Sequence, residues 1–174
     1  MQTNKKITKD MIDKIKVMVM DVDGTLTDGK IYMGAEGELM KAFDIKDGHA
    51  IIHFKDFGIV PAIITGRTSK IVEARCRDLK INHFYQGVSN KIEKLEELLE
   101  KLGNESGETY SLENVAYAGD DVIDLECMKK CGIAVCPADA SEEIIEISHF
   151  VSTKDGGRGA VREFYDLIKK MKAL

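Results

Sequence analysis

The chain has 174 residues and a mass of 19.4 kDa, one domain's worth, and a domain of this size buries roughly 70% of the surface its extended chain exposes. Apolar residues make up 44% and charged residues 32%, which excludes a disordered polymer, and no apolar run approaches the ~20 residues that span a bilayer. Lys and Arg total 25 against 30 Asp and Glu, so the net charge of −5 argues against nucleic acid or a membrane surface as a partner.

The chain starts MQTNKKITKD, a polar stretch without the apolar core of a signal peptide, and the expected location is the cytoplasm. Residues 17–20 form a short unbroken apolar run that stops at Asp21, as suits a strand buried on both faces of a parallel sheet. Residues 31–33 and 39–43 flank a Gly-rich stretch, 34–38, and read as a β-hairpin. Asp47-Gly48 precedes a helical stretch carrying Ile51, Ile52, Phe54 and Lys55 and closed by Gly58. Residues 59–64 are the next apolar strand, and Ser69 is placed to cap a helix that runs to about Leu79. A short strand over 83–85 is followed by an amphipathic helix over 91–102, with Ile92, Leu95, Leu98, Leu99 and Leu102 on its apolar stripe. Strands are expected over 114–118, 133–135 and 150–151, a helix over 121–130 and a closing helix over 160–171. Alternating strands and helices predict an α/β fold: one doubly wound, Rossmann-like domain over 1–174 with a parallel central sheet and a protruding hairpin.

Cys76, Cys127, Cys131 and Cys136 form no C-x-x-C pair and lack zinc spacing, so they are expected to be reduced, buried side chains.

Three strands end in polar residues: Asp21-Val22-Asp23-Gly24-Thr25, Thr65-Gly66-Arg67, and Gly119-Asp120-Asp121-Val122-Ile123-Asp124. Open parallel sheets bind ligands beyond the carboxyl ends of their strands, so these loops can converge on one site. Two like charges ~4 Å apart repel by about 4 kcal/mol at an effective dielectric of 20. Carboxylates gathered this way need a cation, or some must keep their protons. A set of oxygen ligands points to a hard cation, Mg²⁺ first. Counted from Asp21, the sixth and twelfth positions hold Leu26 and Tyr32 where a calcium-binding EF-hand needs Gly and Glu. No P-loop and no G-x-G-x-x-G fingerprint is present. His49 and His53 have helical spacing but lack the Glu of a zinc-protease motif, so packing or surface placement is expected for both.

These motifs resemble those of haloacid-dehalogenase-type phosphatases, with Asp21 to Thr25 like the first motif, Thr65-Gly66 the second, Lys91 the third and Gly119 to Asp124 the fourth. DVDGTLTDG (21–29), FDIKDGH (43–49), TGR (65–67), YQG (85–87), SNK (89–91) and GGRGAVRE (156–163) resemble one branch in particular, the 3-deoxy-D-manno-octulosonate 8-phosphate phosphatase family. The resemblance implies a capless, Mg²⁺-dependent homotetramer that acts in lipopolysaccharide precursor synthesis.

It further implies that Asp21 is the nucleophile that takes up the phosphoryl group. Asp23 would protonate the leaving sugar oxygen and then activate water, a task that needs a proton on it first, as crowding by anions would favour. Mg²⁺ would bind the Asp21 and Asp120 carboxylates and the Asp23 backbone carbonyl. Asp124 would orient the loop, or pair with Lys91, rather than bind metal directly, and Asp121 could do either. Thr65, Gly66 and Lys91 would hold phosphate oxygens. Arg67, Arg75 and Arg158 are candidates for the carboxylate of a sugar acid, and Lys46 and Asp47 for its hydroxyls. The resemblance also implies that the hairpin packs in the oligomer and that the Gly156–Gly159 stretch approaches a neighbour's site. A related branch for nine-carbon sugar acid phosphates tends to carry Glu at the position of Arg67, so Arg67 favours the eight-carbon substrate. A broader phosphate monoester phosphatase and a receiver-like phosphorylation switch are the alternatives. A receiver keeps its phospho-accepting Asp after a later strand.

Overall fold

The computed structural model describes residues 7–173; the polar start over residues 1–6 and residue 174 lie outside it. In chain order, α1 (Lys9–Lys14) leads into β1 (Val17–Met20). A hairpin of β2 (Tyr32–Gly34) and β3 (Gly37–Met40) follows. Then come α2 (Ile45–His53), β4 (Val60–Ile64), α3 (Lys70–Asp78), β5 (His83–Tyr85) and α4 (Lys91–Ser106). The chain closes with β6 (Val115–Ala118), α5 (Leu125–Lys130), β7 (Ile133–Cys136), α6 (Glu142–Ile147), β8 (Phe150–Val151) and α7 (Ala160–Lys172).

Six strands form a parallel sheet in the order β5-β4-β1-β6-β7-β8. The apolar run of β1 explains its central place, because all four of its side chains are buried and alternate between two cores. Met18 and Met20 point to one face, where α1, α2, α3 and α7 contribute Ile12, Ile51, Val72 and Phe164. Val17 and Val19 point to the other, where α4, α5 and α6 contribute Leu95, Met128 and Ile144. β4, β6 and β7 alternate in the same way, as the two-residue side-chain period requires. Between β1 and β4 the chain holds only the hairpin, α2 and one turn of 3₁₀ helix, with no room for a cap domain.

Several boundaries differ from the sequence-based expectation. The hairpin turn is shorter than its glycines suggest, because Gly34 pairs with Gly37 across Ala35-Glu36. Helix α2 starts at Ile45, before Asp47-Gly48, because the Asp44 side chain accepts the Lys46 N–H and caps it. Gly48 is admitted inside the helix because Arg75 of α3 lies where a Cβ would be, 2.5 Å from its Nη2. Residues 122–124 form a 3₁₀ turn, and the α-helix proper begins only at Leu125. Helices α1 and α6 were not anticipated; six residues each carry too little periodicity to register. All four cysteines are free and buried, and burial pushes the thiols of Cys127 and Cys131 up to about 12.

Candidate active site

The sheet hands its parallel register directly to the acidic loops. The Asp21 N–H bonds to Ala118 O at 2.9 Å, one step past the end of β1, which sets Asp21 beside Gly119-Asp120. The chain then folds back, and Val22 O accepts the N–H groups of Thr25, Leu26 and Thr27 at 3.2, 2.9 and 3.1 Å. Gly24 is indispensable here. Its φ is +93°, and a Cβ on it would lie 2.0 Å from Asp120 Oδ2. The Asp120 carboxylate therefore sits against the bare backbone of the first loop, and the Thr25 hydroxyl donates to its Oδ1 at 2.9 Å.

Lys91 is the first residue of α4, which Asn90 caps. A cation there opposes the helix dipole, so its neighbours must compensate. Its buried Nζ lies 3.0 Å from Asp21 Oδ1 and 2.7 Å from Asp124 Oδ1. Asp124 is fully buried and fully engaged: Oδ1 takes the Lys91 ammonium and the Tyr117 hydroxyl (2.9 Å), and Oδ2 takes the Asp120 N–H (3.3 Å). Asp124 thus ties the loop after β6 to α4. Asp121 is exposed and caps the 3₁₀ turn by accepting the Val122 N–H.

Oxygens of Asp21, Asp120 and Asp124 all lie within 4.8 Å of one another. Burial, then the Asp124 charge, pushes the Asp21 carboxyl up to about 6 even with Lys91 pulling the other way. Burial and the Asp21 charge push Asp120 up to about 7 against the Thr25 hydrogen bond. Asp21 Oδ1 is buried and, although close to Lys91, lacks a hydrogen bond of good geometry. An under-bonded carboxylate oxygen, an excess of negative charge and an all-oxygen donor set suit a hard divalent cation. Because Asp124 is spoken for, Asp21 and Asp120 are the carboxylates left to hold it.

Asp23 departs from expectation. Cations surround it rather than anions: Lys41 Nζ is hydrogen-bonded to its Oδ1, and Arg67 Nε lies 3.8 Å from its Oδ2. Thr65 is buried at the end of β4, with its N–H on Tyr85 O and its carbonyl accepting from Val88. Gly66 is exposed, and a Cβ on it would meet only Val88 O at 3.7 Å, so nothing within the chain demands glycine there.

The remaining candidates scatter. Asp47 is buried, and its carboxylate accepts the N–H groups of Gly159 (3.2 Å) and Arg162 (2.8 Å), so it caps α7 instead of facing sugar hydroxyls. Burial pushes it up to about 6, against the Arg162 N–H. Arg75 pairs with Asp78 at 2.8 Å and lies over the Phe43 ring. Lys46 and Arg158 share a groove of about 430 Å³ with Lys154, Arg162, Glu163 and Asp166, beside the start of α7. The Gly156–Gly157 pair rests on its own chain's first loop rather than reaching outward: Gly157 N–H bonds Thr25 O at 3.0 Å, and a Cβ on Gly156 would lie 1.9 Å from Gly24 O. Tyr117, Lys41 and Glu38 were missed. Tyr117 carries the one sequence signal, as the only hydroxyl inside the apolar run of β6.

A family model for haloacid dehalogenase-like hydrolases matches residues 81–164. The 3-deoxy-D-manno-octulosonate 8-phosphate phosphatase of Escherichia coli K12 is 47% identical over 165 residues, covering 93% of this chain and 85% of that protein. The crystal structure of the Moraxella catarrhalis phosphatase of the same name, in complex with magnesium, phosphate and a KDO molecule, superposes with a TM-score of 0.86 at 39% identity, over 94% of this chain and 90% of that one. That of the Yersinia pestis phosphatase of the same name superposes with a TM-score of 0.88 at 42% identity, over 95% and 86%.

Proposed function

The chain belongs to the 3-deoxy-D-manno-octulosonate 8-phosphate phosphatase family of the haloacid dehalogenase-like hydrolases, and on that premise we propose a role for each residue of its site. The enzyme is a phosphoric monoester hydrolase that converts 3-deoxy-D-manno-octulosonate 8-phosphate to the free sugar acid and phosphate, for lipopolysaccharide precursor synthesis. The observation that carries the mechanism is the convergence of Asp21, Asp120 and Lys91 at neighbouring strand and helix ends.

The Asp21 and Asp120 carboxylates and the Asp23 backbone carbonyl hold Mg²⁺, which supplies positive charge against these acids and the phosphoryl oxygens. An Asp21 oxygen attacks phosphorus as the bond from phosphorus to the sugar oxygen breaks, and Asp23, protonated from solvent against the pull of Lys41 and Arg67, passes that proton to the leaving oxygen. Water then attacks the phosphoaspartate, Asp23 takes the water's proton, and the bond between phosphorus and Asp21 breaks to release phosphate. Lys91, the Thr65 hydroxyl and the Gly66 N–H hold the non-bridging oxygens. Arg67 stands beside Gly66 and takes the sugar-acid carboxylate. Exposed Met33 (62%), Leu39 (68%), Met40 (53%) and Ile45 (82%) support burial of the hairpin region against other copies, in a homotetramer whose subunits cover each other's sites. The whole chain, 1–174, acts as one domain, and the cytoplasm is its place of action; no helix among the described residues can cross a membrane.

A panel of phosphorylated metabolites, assayed for phosphate release with and without Mg²⁺, tests this reading. The expected result is one clear winner in kcat/KM, the eight-carbon sugar acid phosphate, and activity that vanishes on chelation. Flat activity across the panel, or preference for the nine-carbon homologue, overturns the substrate assignment.

A further inference from the structure

Lys41 follows the hairpin, between the exposed Met40 and Ala42, where a lysine would ordinarily reach into water. Instead its side chain is 1% exposed. Burying an ammonium is unfavourable unless paired charges surround it. Lys41 has two: Asp23 Oδ1, and Glu38 Oε1 at 2.9 Å. Those two anions, one hydrogen-bonded to it and the other ion-paired, compensate the burial of its ammonium.

Glu38 is anchored in turn. It accepts the hydroxyl of Ser69, which also takes the Ile71 and Val72 N–H groups as the cap of α3, while the Ser69 N–H bonds Gln86 Oε1 at 2.8 Å. A continuous polar bridge therefore runs from α3 through Ser69, Glu38 and Lys41 to Asp23. It links the loops that follow two adjacent parallel strands, β4 and β1, with Glu38 and Lys41 both supplied by the hairpin side of the site.

We propose that Lys41 is a positioning residue for Asp23: paired with Glu38, it binds Asp23 Oδ1 and so leaves Oδ2, whose other neighbour is Arg67 Nε at 3.8 Å, to face the oxygen that leaves with the sugar. The inference rests on the reading that Asp23 handles the leaving-group proton, and it adds that the hairpin sets which oxygen does so. The step balances as written above: Oδ2 gives its proton to the sugar oxygen as the phosphorus–oxygen bond breaks, and Lys41 keeps its own proton throughout.

A proton donor matters for an alkoxide leaving group and hardly at all for p-nitrophenolate. The test is single-turnover phosphoryl transfer from the eight-carbon sugar acid phosphate and from p-nitrophenyl phosphate, in the full-length Mg²⁺-loaded enzyme. Lys41→Met is expected to slow transfer from the sugar ester by ~10²-fold and from the aryl ester by less than ~5-fold, with substrate KM nearly unchanged. Lys41→Arg is expected to recover transfer from the sugar ester to within ~10-fold, since a cation returns to the same place. Equal slowing on both esters, or none on either, overturns the proposal. Glu38→Gln, which loosens the far end of the bridge, should show the same ester dependence in weaker form and carries the test if Lys41→Met does not fold. Asp23→Asn separates the two failures: if it slows both esters equally, the underlying reading of Asp23 is overturned, whereas ester-dependent slowing in Asp23→Asn without it in Lys41→Met overturns the role of Lys41 alone.

Discussion

Asp21 and Asp23 stand two residues apart on one loop, yet their surroundings carry opposite charge. Around Asp21, three carboxylates crowd one buried ammonium: Asp21, Asp120 and Asp124 against Lys91. Around Asp23, the hairpin side balances Asp23 and Glu38 against Lys41 and Arg67. The floor of the site is therefore short of positive charge and suited to a metal and a phosphoryl group. The wall is complete without them and suited to holding one side chain still. Two aspartates of identical chemistry acquire different tasks from burial and charge alone.

The sharpest way to break this division is at the floor. Asp21→Asn removes the nucleophile while keeping its size, and phosphate release should fall on the order of 10⁴-fold or more. Full retained turnover, measured with Mg²⁺ present, would sink the assignment. Next in size is Lys91→Met, which leaves Asp21 and Asp124 facing each other in the interior. Breaking a buried pair in this way costs ~3–5 kcal/mol, read from urea unfolding. Asp23→Asn, on the wall, removes one of the two anions paired with the buried Lys41 but leaves it Glu38, so it should cost less, ~1–3 kcal/mol. Comparable losses for the two variants would show that the two regions do not differ as described.

The pH dependence follows from the same excess of carboxylate. Burial and like charge raise Asp21 and Asp120 from 3.8 to about 6 and about 7. A carboxyl with a raised folded-state pKa binds its proton more tightly when folded, so its contribution is complete below about pH 4 and is lost as pH rises through the folded value. In the metal-free enzyme both contributions fade by about pH 7, and the melting temperature should carry that downward trend. Mg²⁺ binds the deprotonated pair and stabilises the folded state by mass action, so its effect on melting should be larger at pH 8 than at pH 5. A magnesium shift independent of pH, or one that survives in Asp120→Asn, contradicts this account.

The floor was far more legible than the wall, for a physical reason. Each of its acids follows an apolar run, and a parallel sheet must place the ends of adjacent strands together, so Asp21, Thr65 and Asp120 could be grouped from local sequence alone. Lys91 announced itself as the start of an amphipathic helix. Lys41 contacts Asp23 across 18 residues and Glu38 contacts Ser69 across 31, distances set by how the hairpin folds over, which no periodicity encodes. Asp47 was misplaced for a related reason. Its partners, Gly159 and Arg162, come from the far end of the chain, and a carboxylate capping a distant helix has the same local sequence as one awaiting a ligand. The shared signal of Asp21 and Asp23, one loop with two acids, hid the charge difference that separates them.

The smallest expected effect tests how the floor is held together. Tyr117 and Lys91 both donate to Asp124 Oδ1, at 2.9 and 2.7 Å, while Oδ2 holds the Asp120 N–H. Tyr117→Phe deletes one donor and leaves no orphan, because Oδ1 keeps the ammonium and the ring still fills its place in the core. The cost is then that of one hydrogen bond, ~0.5–1.5 kcal/mol, and not the full penalty of an unsatisfied buried acid. Phosphate release should fall less than ~10-fold, since the Asp120 loop keeps its anchor on Oδ2. Urea unfolding with an unchanged m-value reads the stability change directly. A loss above ~3 kcal/mol would mean that the hydroxyl, and not Lys91, fixes Asp124, and the ammonium would then be freer to swing toward the phosphoryl group than its two short ion pairs suggest.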